Sequence, residues 1–206
     1  MKYLVLLFIP LLSCQAQVEN KIENTKVETL ENAIVQINQD SAELVNFYNI
    51  NSIDTNKSKC IGSVSNGKLE NGKIMPFYGA NFTYFDRDSY LASRAYTSDI
   101  VKGIVLNTYD DLNKLYPGRK FYLMELSNHE GGKIYPHRTH QNGLSVDFMM
   151  PKLKNGNPNY ELDTLGKQHY FLEFNDNGEY VQDTSIKIDF DLIAKHILLL
   201  NDEAKK

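Results

Sequence analysis

Hydrophobic and polar positions divide the chain into an apolar leader, a polar stretch and a patterned remainder. After Lys2 an apolar run from Leu4 to Leu12 gives way to small and polar residues, the layout of a signal peptide. The run is too short for a permanent membrane-spanning helix, which needs roughly 20 apolar residues. From Gln17 to about Lys57 the chain is rich in Asn, Glu, Gln, Lys and Thr and holds no proline or glycine. Ala33, Ile37, Leu44 and Tyr48 recur there at helical intervals, but Asn38-Gln39-Asp40-Ser41 interrupts them. The pattern supports two short helices or none, and residues 15–57 read as a polar tether.

The patterned remainder, residues 58–206, predicts one domain. Gly62, Asn66-Gly67 and Asn71-Gly72 mark turns between short runs. The clearest helix falls between Tyr96 and Pro117. Thr97 or Ser98 is its N-cap, Asp99 lies in its first turn, and Ile100, Ile104, Val105, Leu112 and Leu115 form one side before Pro117-Gly118 stops it. Phe121 to Leu126 reads as a short apolar strand. From Gly143 to Met150, Leu144, Val146 and Phe148 alternate with Ser145, Asp147 and Met149, the period of a half-buried strand that points Asp147 away from Leu144 and Val146. Residues 151–166, with two prolines and repeated glycine breaks, read as a surface loop bordering a cleft. The last helix, from about Phe190 to Lys205, has Asp189 as N-cap and Phe190, Ile193, Ile197, Leu200 and Ala204 as its buried stripe. Strands and helices in this order imply an α+β domain.

Composition narrows the function. A hydrophobic fraction of 42% with 11% aromatics is that of a globular chain. The net charge of −4 provides no basic footprint for nucleic acid. Leu11-Leu12-Ser13-Cys14 resembles a bacterial lipobox, in which the cysteine becomes the lipidated first residue of the mature protein; cleavage after Ala16 is the alternative and leaves a soluble periplasmic protein. With lipid on Cys14 the protein is membrane-anchored and exported, and Gln15 places it at the outer membrane, since the aspartate of inner-membrane retention is missing. Cys60 alone remains for the folded part, so no internal disulfide is available and any zinc must be held by His and carboxylates.

Three of the five histidines fall within twelve residues, His129, His137 and His140, and Asp147 follows. Imidazoles and a carboxylate suit zinc if they converge from different directions. On one unbroken strand His140 and Asp147 would face opposite sides; Asn142-Gly143 provides the bend that corrects this.

Ile61-Gly62-Ser63 with Asn66-Gly67, then Gly131-Gly132-Lys133, and above all Thr139-His140-Gln141-Asn142-Gly143-Leu144-Ser145-Val146-Asp147 resemble the penicillin-insensitive murein endopeptidases. These are relatives of the lysostaphin, D-Ala-D-Ala carboxypeptidase and hedgehog group of metallopeptidases. The resemblance runs from about Cys60 to the end. It implies a small antiparallel sheet with flanking helices, zinc bound by His140 and Asp147, and an accessory metal role for His137. The implied activity is metal-assisted hydrolysis of peptidoglycan cross-links between D-alanine and a diamino acid.

Two departures qualify it. Ser145 stands where the family has aspartate. The family's third zinc ligand and catalytic histidine come from a His-x-His motif near the C-terminus, on a strand of the central sheet, and this chain has none. The expectation is an endopeptidase-like domain lacking that strand, with no catalytic base identified, whose activity is open. His196 is expected on the surface of the last helix, His169 at a surface or strand position, and His129 in a turn. The alternative function is a non-catalytic envelope lipoprotein that binds peptidoglycan.

Overall fold

A computed structural model describes Gln36 and residues 39–206. The expected signal peptide, Cys14 and much of the tether lie outside the described residues. The chain forms two compact units, Met1–Glu43 and Leu44–Lys206. In the first, Gln36 and residues 39–43 are helical, and Gln36 Nε2 donates to Asp40 Oδ1 at 2.9 Å. The second unit begins earlier than the expected boundary at residue 58. Residues 44–51 are helical (α1), and Leu44, with Phe47 and Tyr48, packs into the main core. Apolar spacing across those residues was a core signal that the polar composition obscured.

The domain is mixed α and β with small sheets and several helices. β1 (Lys59–Ser63) and β2 (Asn66–Glu70) form a hairpin. Its turn is Val64-Ser65, so Asn66-Gly67 opens a strand rather than a turn. β3 (Lys73–Ile74) pairs with β5 (Tyr96–Thr97). β4 (Phe82–Tyr84) pairs with β6 (Phe121–Leu123) in parallel, unlike the other pairs. Helix α2 (Arg87–Leu91) and helix α3 (Asp99–Leu115) lie between those two strands in sequence, because a parallel pair needs a long crossover.

Helix α3 begins where expected, its N-cap Ser98 accepting from Val101 N at 3.2 Å. Its buried face is Val105, Thr108, Tyr109 and Leu112, whereas Ile100 and Leu115 are 73% and 51% exposed. Neighbours cover the middle of the helix and not its ends, which apolarity alone does not reveal. Residues 151–166 are not a loop throughout. β7 (Lys152–Lys154) and β8 (Asn157–Asn159) make a hairpin through Asn155 (φ 50°) and Gly156 (φ 79°), the left-handed pair a two-residue hairpin turn requires. With β9 (Glu179–Tyr180) and β10 (Asp183–Ile188) they form a four-stranded antiparallel sheet in the order β8-β7-β10-β9.

Helix α4 (Phe190–Glu203) is capped by Asp189, which accepts from Leu192 N at 3.1 Å. Its stripe is rotated from expectation: Leu192, His196 and Glu203 are buried, while Phe190 and Ile197 are more than half exposed. His196 is therefore a core residue and not a surface one. Its ring lies 4.7 Å from Phe148, 5.6 Å from Tyr109 and 5.9 Å from Phe121, centre to centre. Burial lowers its pKa to about 4. Glu203 is reached by Asn107 Nδ2 at 3.1 Å, which links α4 to α3.

The main core is rich in tyrosine. Tyr84, Tyr90, Tyr96 and Tyr109 are almost fully buried, and two of the phenols donate to backbone carbonyls: Tyr90 to Met75 O at 2.7 Å and Tyr84 to Arg94 O at 2.9 Å. Such bonds let a polar ring end sit in a core without the cost of an unsatisfied hydroxyl.

Candidate metal centre

The site is built on the bend expected at Asn142-Gly143. Gly143 has φ 76°, and a Cβ there would lie 2.8 Å from Leu69 Cδ1, so only glycine fits. Its carbonyl accepts from Thr97 Oγ1 at 2.8 Å and from Ser98 N at 3.1 Å, tying the bend to the start of α3. Ser127, fully buried, donates its hydroxyl to His140 O and accepts from Gly143 N at 3.1 Å. Gln141 N donates to Val64 O at 3.0 Å and Gln141 O accepts from Gly132 N at 2.9 Å. These bonds hold His140 at φ 68°, a left-handed conformation costing roughly 1–2 kcal/mol for a residue with a Cβ. Strain of that kind persists only where surroundings over-determine it.

After the bend the chain runs extended beside β6, but residues 143–150 are not a regular strand. Phe148 alone makes a bridge, to Leu123. Leu144 is 50% exposed, and the buried residue near the end is Met149, so the expected alternation holds only for Val146 and Phe148, which pack on the core. The irregularity lies opposite Asp147. Asp147 O accepts from Met124 N at 2.9 Å, and Asp147 N donates to Glu125 O at 3.0 Å. Two residues oppose one, which is a β-bulge. Phe121 and Leu123 are core residues, and regular alternation would send Glu125 the same way. The bulge resets the count and lets Glu125 join the polar cluster around Asp147.

In that cluster His140 Nε2 lies 3.2 Å from Asp147 Oδ2. His140 is 2% exposed and its Nδ1 has no partner. The rings of His137 and His140 stand 5.2 Å apart, nearly perpendicular. His137 Nε2 meets Glu125 Oε2 at 2.6 Å. Glu125, 2% exposed, also accepts from Ser89 Oγ at 3.0 Å and from Arg94 at 3.0 and 3.2 Å, and Arg94 donates further to Tyr135 O at 3.0 Å. Tyr170, on a 3-10 turn (Gly166–Phe171) and partly exposed, has its ring 6.2 Å from that of His137. Burial first, then the Glu125 and Asp147 carboxylates, push its phenol pKa well up, so it stays a proton donor.

Donor atoms of His137, His140 and Asp147 all lie within 4.8 Å of one another, a group that could hold a metal ion. Two ligands at 2.0–2.1 Å from a tetrahedral zinc lie ~3.3 Å apart. The His140–Asp147 separation of 3.2 Å fits that edge. No family model and no curated protein matches the chain. The donor set therefore speaks by itself: two imidazoles and a carboxylate suit zinc and other borderline divalent ions.

The remaining histidines stay outside this group. His129 is exposed, edge-on to Tyr96 at 4.9 Å. His169 is half-buried on the 3-10 turn, hydrogen-bonded through Nδ1 to Gly166 O at 2.8 Å, with its pKa lowered by burial. His196 packs with Phe148, the neighbour of Asp147. Sequence reasoning missed Glu125, Arg94 and Ser127. A carboxylate in the middle of the apolar run Phe121 to Leu126 was the available signal for the first; Arg94 and Ser127 carried none.

Proposed function

We propose that this chain is a zinc-dependent peptidoglycan endopeptidase of the hedgehog and D-Ala-D-Ala peptidase group. It would cut peptide cross-links between D-alanine and a diamino acid at the periplasmic face of the envelope, anchored by lipid on Cys14 at the outer membrane. The observation that carries the reading is the convergence of His137, His140 and Asp147. Catalytic zinc sites use three protein ligands and keep one position open. Here the third ligand would be His137, since the chain has no His-x-His motif of the kind the resembling family uses. The substrate class rests on the resemblance of residues 139–147.

When bound, zinc would acidify a water molecule and polarise the scissile carbonyl, so that no acyl-enzyme is needed. His137, His140 and Asp147 would hold the ion. His140, locked by Ser127 and the Gly143 bend, keeps its Nε2 facing Asp147 before any metal arrives. Tyr170, whose ring lies 6.2 Å from that of His137, would offer a phenol proton to an oxygen that gains charge.

A second reading, a peptidoglycan-binding lipoprotein without turnover, is favoured by one observation. Glu125, the other carboxylate of the cluster, already accepts from Ser89, Arg94 and His137 and has no spare oxygen to act as a base. Purified full-length protein incubated with sacculi separates the two. Release of cross-linked muropeptides that is lost on chelation, restored by zinc and absent in His140→Ala supports the endopeptidase. Binding to sacculi with no turnover, indifferent to chelator, supports the binding protein. Release of free D-alanine alone would make the chain a carboxypeptidase.

A further inference from the structure

Glu125 is unusual among the acidic groups of this domain. It is 2% exposed, it sits in an otherwise apolar run, and it is placed beside the site by the bulge opposite Asp147. Its oxygens are shared among three donors. Ser89 and Arg94 hold one at 3.0 Å each, and Arg94 and His137 hold the other at 3.2 and 2.6 Å. The Glu125 carboxylate does not belong to the group of donors close enough to share one ion, which consists of His137, His140 and Asp147. Its contact with the site runs through His137.

We infer that Glu125 is the positioning residue of the metal group: anchored by Ser89 and Arg94, it accepts the Nε2 proton of His137 and so presents His137 Nδ1 to the ion. The inference rests on the zinc reading above. An imidazole with no partner can carry its proton on either nitrogen and can rotate about two bonds. A fixed carboxylate on one nitrogen removes both freedoms, leaving the other nitrogen as an oriented lone pair. Arg94 stiffens the arrangement, because the same guanidinium that binds Glu125 also donates to Tyr135 O, two residues before His137. Carboxylate and loop are thus held from one point. His140 has no such support, its Nδ1 being unpartnered. Its main chain is held by the bonds around Ser127 and Gly143, and its Nε2 lies 3.2 Å from Asp147 Oδ2.

The test uses the full-length protein, wild type and Glu125→Gln, in two measurements. Long-range 15N–1H NMR of the metal-free wild type reads the tautomer of His137, and the expected result is a proton on Nε2 with a bare Nδ1; a proton on Nδ1 overturns the inference without any variant. Zinc affinity is then read by competition with a chromophoric chelator. Glu125→Gln is expected to bind about 10- to 100-fold more weakly, with the His137 signals of the metal-free variant shifted toward a mixture of tautomers. Equal zinc affinity in the two proteins overturns the role of Glu125 and leaves the zinc site standing. Failure of the wild type to compete with the chelator at all overturns the zinc reading, and this inference falls with it.

Discussion

Two buried polar clusters in this domain use similar residues to opposite ends. At β7 of the four-stranded sheet, Lys152 donates to Asp163 at 2.6 Å and Arg119 to Asp189 at 3.0 Å, with side chains no more than 15% exposed. The cations also reach carbonyls, Lys152 to Met150 O at 2.9 Å and Arg119 to Lys152 O at 3.1 Å. Each carboxylate there has its own cation. Around His140 the balance differs: Arg94 is the cation, Glu125 takes it, and Asp147 is left with His140 and an outer edge 41% exposed. The first cluster is closed and ties elements together. The second has a carboxylate and imidazole nitrogens in surplus on a side that solvent reaches. Burial of charge does not mark a site; unspent lone pairs facing one point do.

Breaking the closed cluster should have the largest effect. Lys152→Met strands the Asp163 carboxylate in a dry setting, and the expected loss is about 3–5 kcal/mol in urea denaturation, with zinc affinity unchanged. Replacing both, Lys152→Met with Asp163→Leu, should recover most of it. Burial raises the pKa of Asp163, partly offset by Lys152, so the stranded acid will also protonate more readily.

His196 belongs to neither class, being buried without a partner for Nε2, and pH exposes it. Its folded pKa is about 4, against about 6.5 unfolded. The unfolded chain therefore takes up a proton that the folded chain refuses. Its contribution leaves stability intact above pH 6.5 and removes up to about 3 kcal/mol as pH falls from 6.5 to 4. His196→Phe should flatten that slope, measured as the difference between the two proteins' denaturation midpoints across pH.

Opening the second cluster should cost function more than fold. His140→Ala is expected to weaken zinc binding by about 100-fold or more, equivalent to about 2.7 kcal/mol, while metal-free stability changes by less than about 1.5 kcal/mol. A metal-free loss as large as that of Lys152→Met would erase the distinction between the clusters. Gly143→Ala should destabilise by about 2 kcal/mol through its left-handed backbone and the Leu69 contact, and should weaken zinc binding without altering any donor.

Much of this was legible from the chain. Ser98 and Asp189 announce helices α3 and α4 because an N-cap is a local event. His140 and Asp147 were singled out by the family resemblance of residues 139–147, and the Asn142-Gly143 bend between them was legible because an Asn-Gly pair signals a turn. The buried stripe of α4 was not, since His196 and Glu203 are polar letters in buried places, and which face is covered depends on distant partners. Asn155-Gly156 was readable as a hairpin turn, and the surrounding prolines drew attention to a loop instead. Arg94 comes to Glu125 from 31 positions away, and Ser127 to His140 from 13. Only folding makes them neighbours.

The bulge at Met124-Glu125 carries a consequence for how such a centre is lost. A strand is a two-stroke rhythm, and the extra residue is a held beat that changes which side every later stroke falls on. Pair the strand regularly instead, with no residue changed, and Glu125 swings into the company of Phe121 and Leu123, taking the support of His137 with it. The centre can thus be silenced by a change of count, with none of its own chemistry touched.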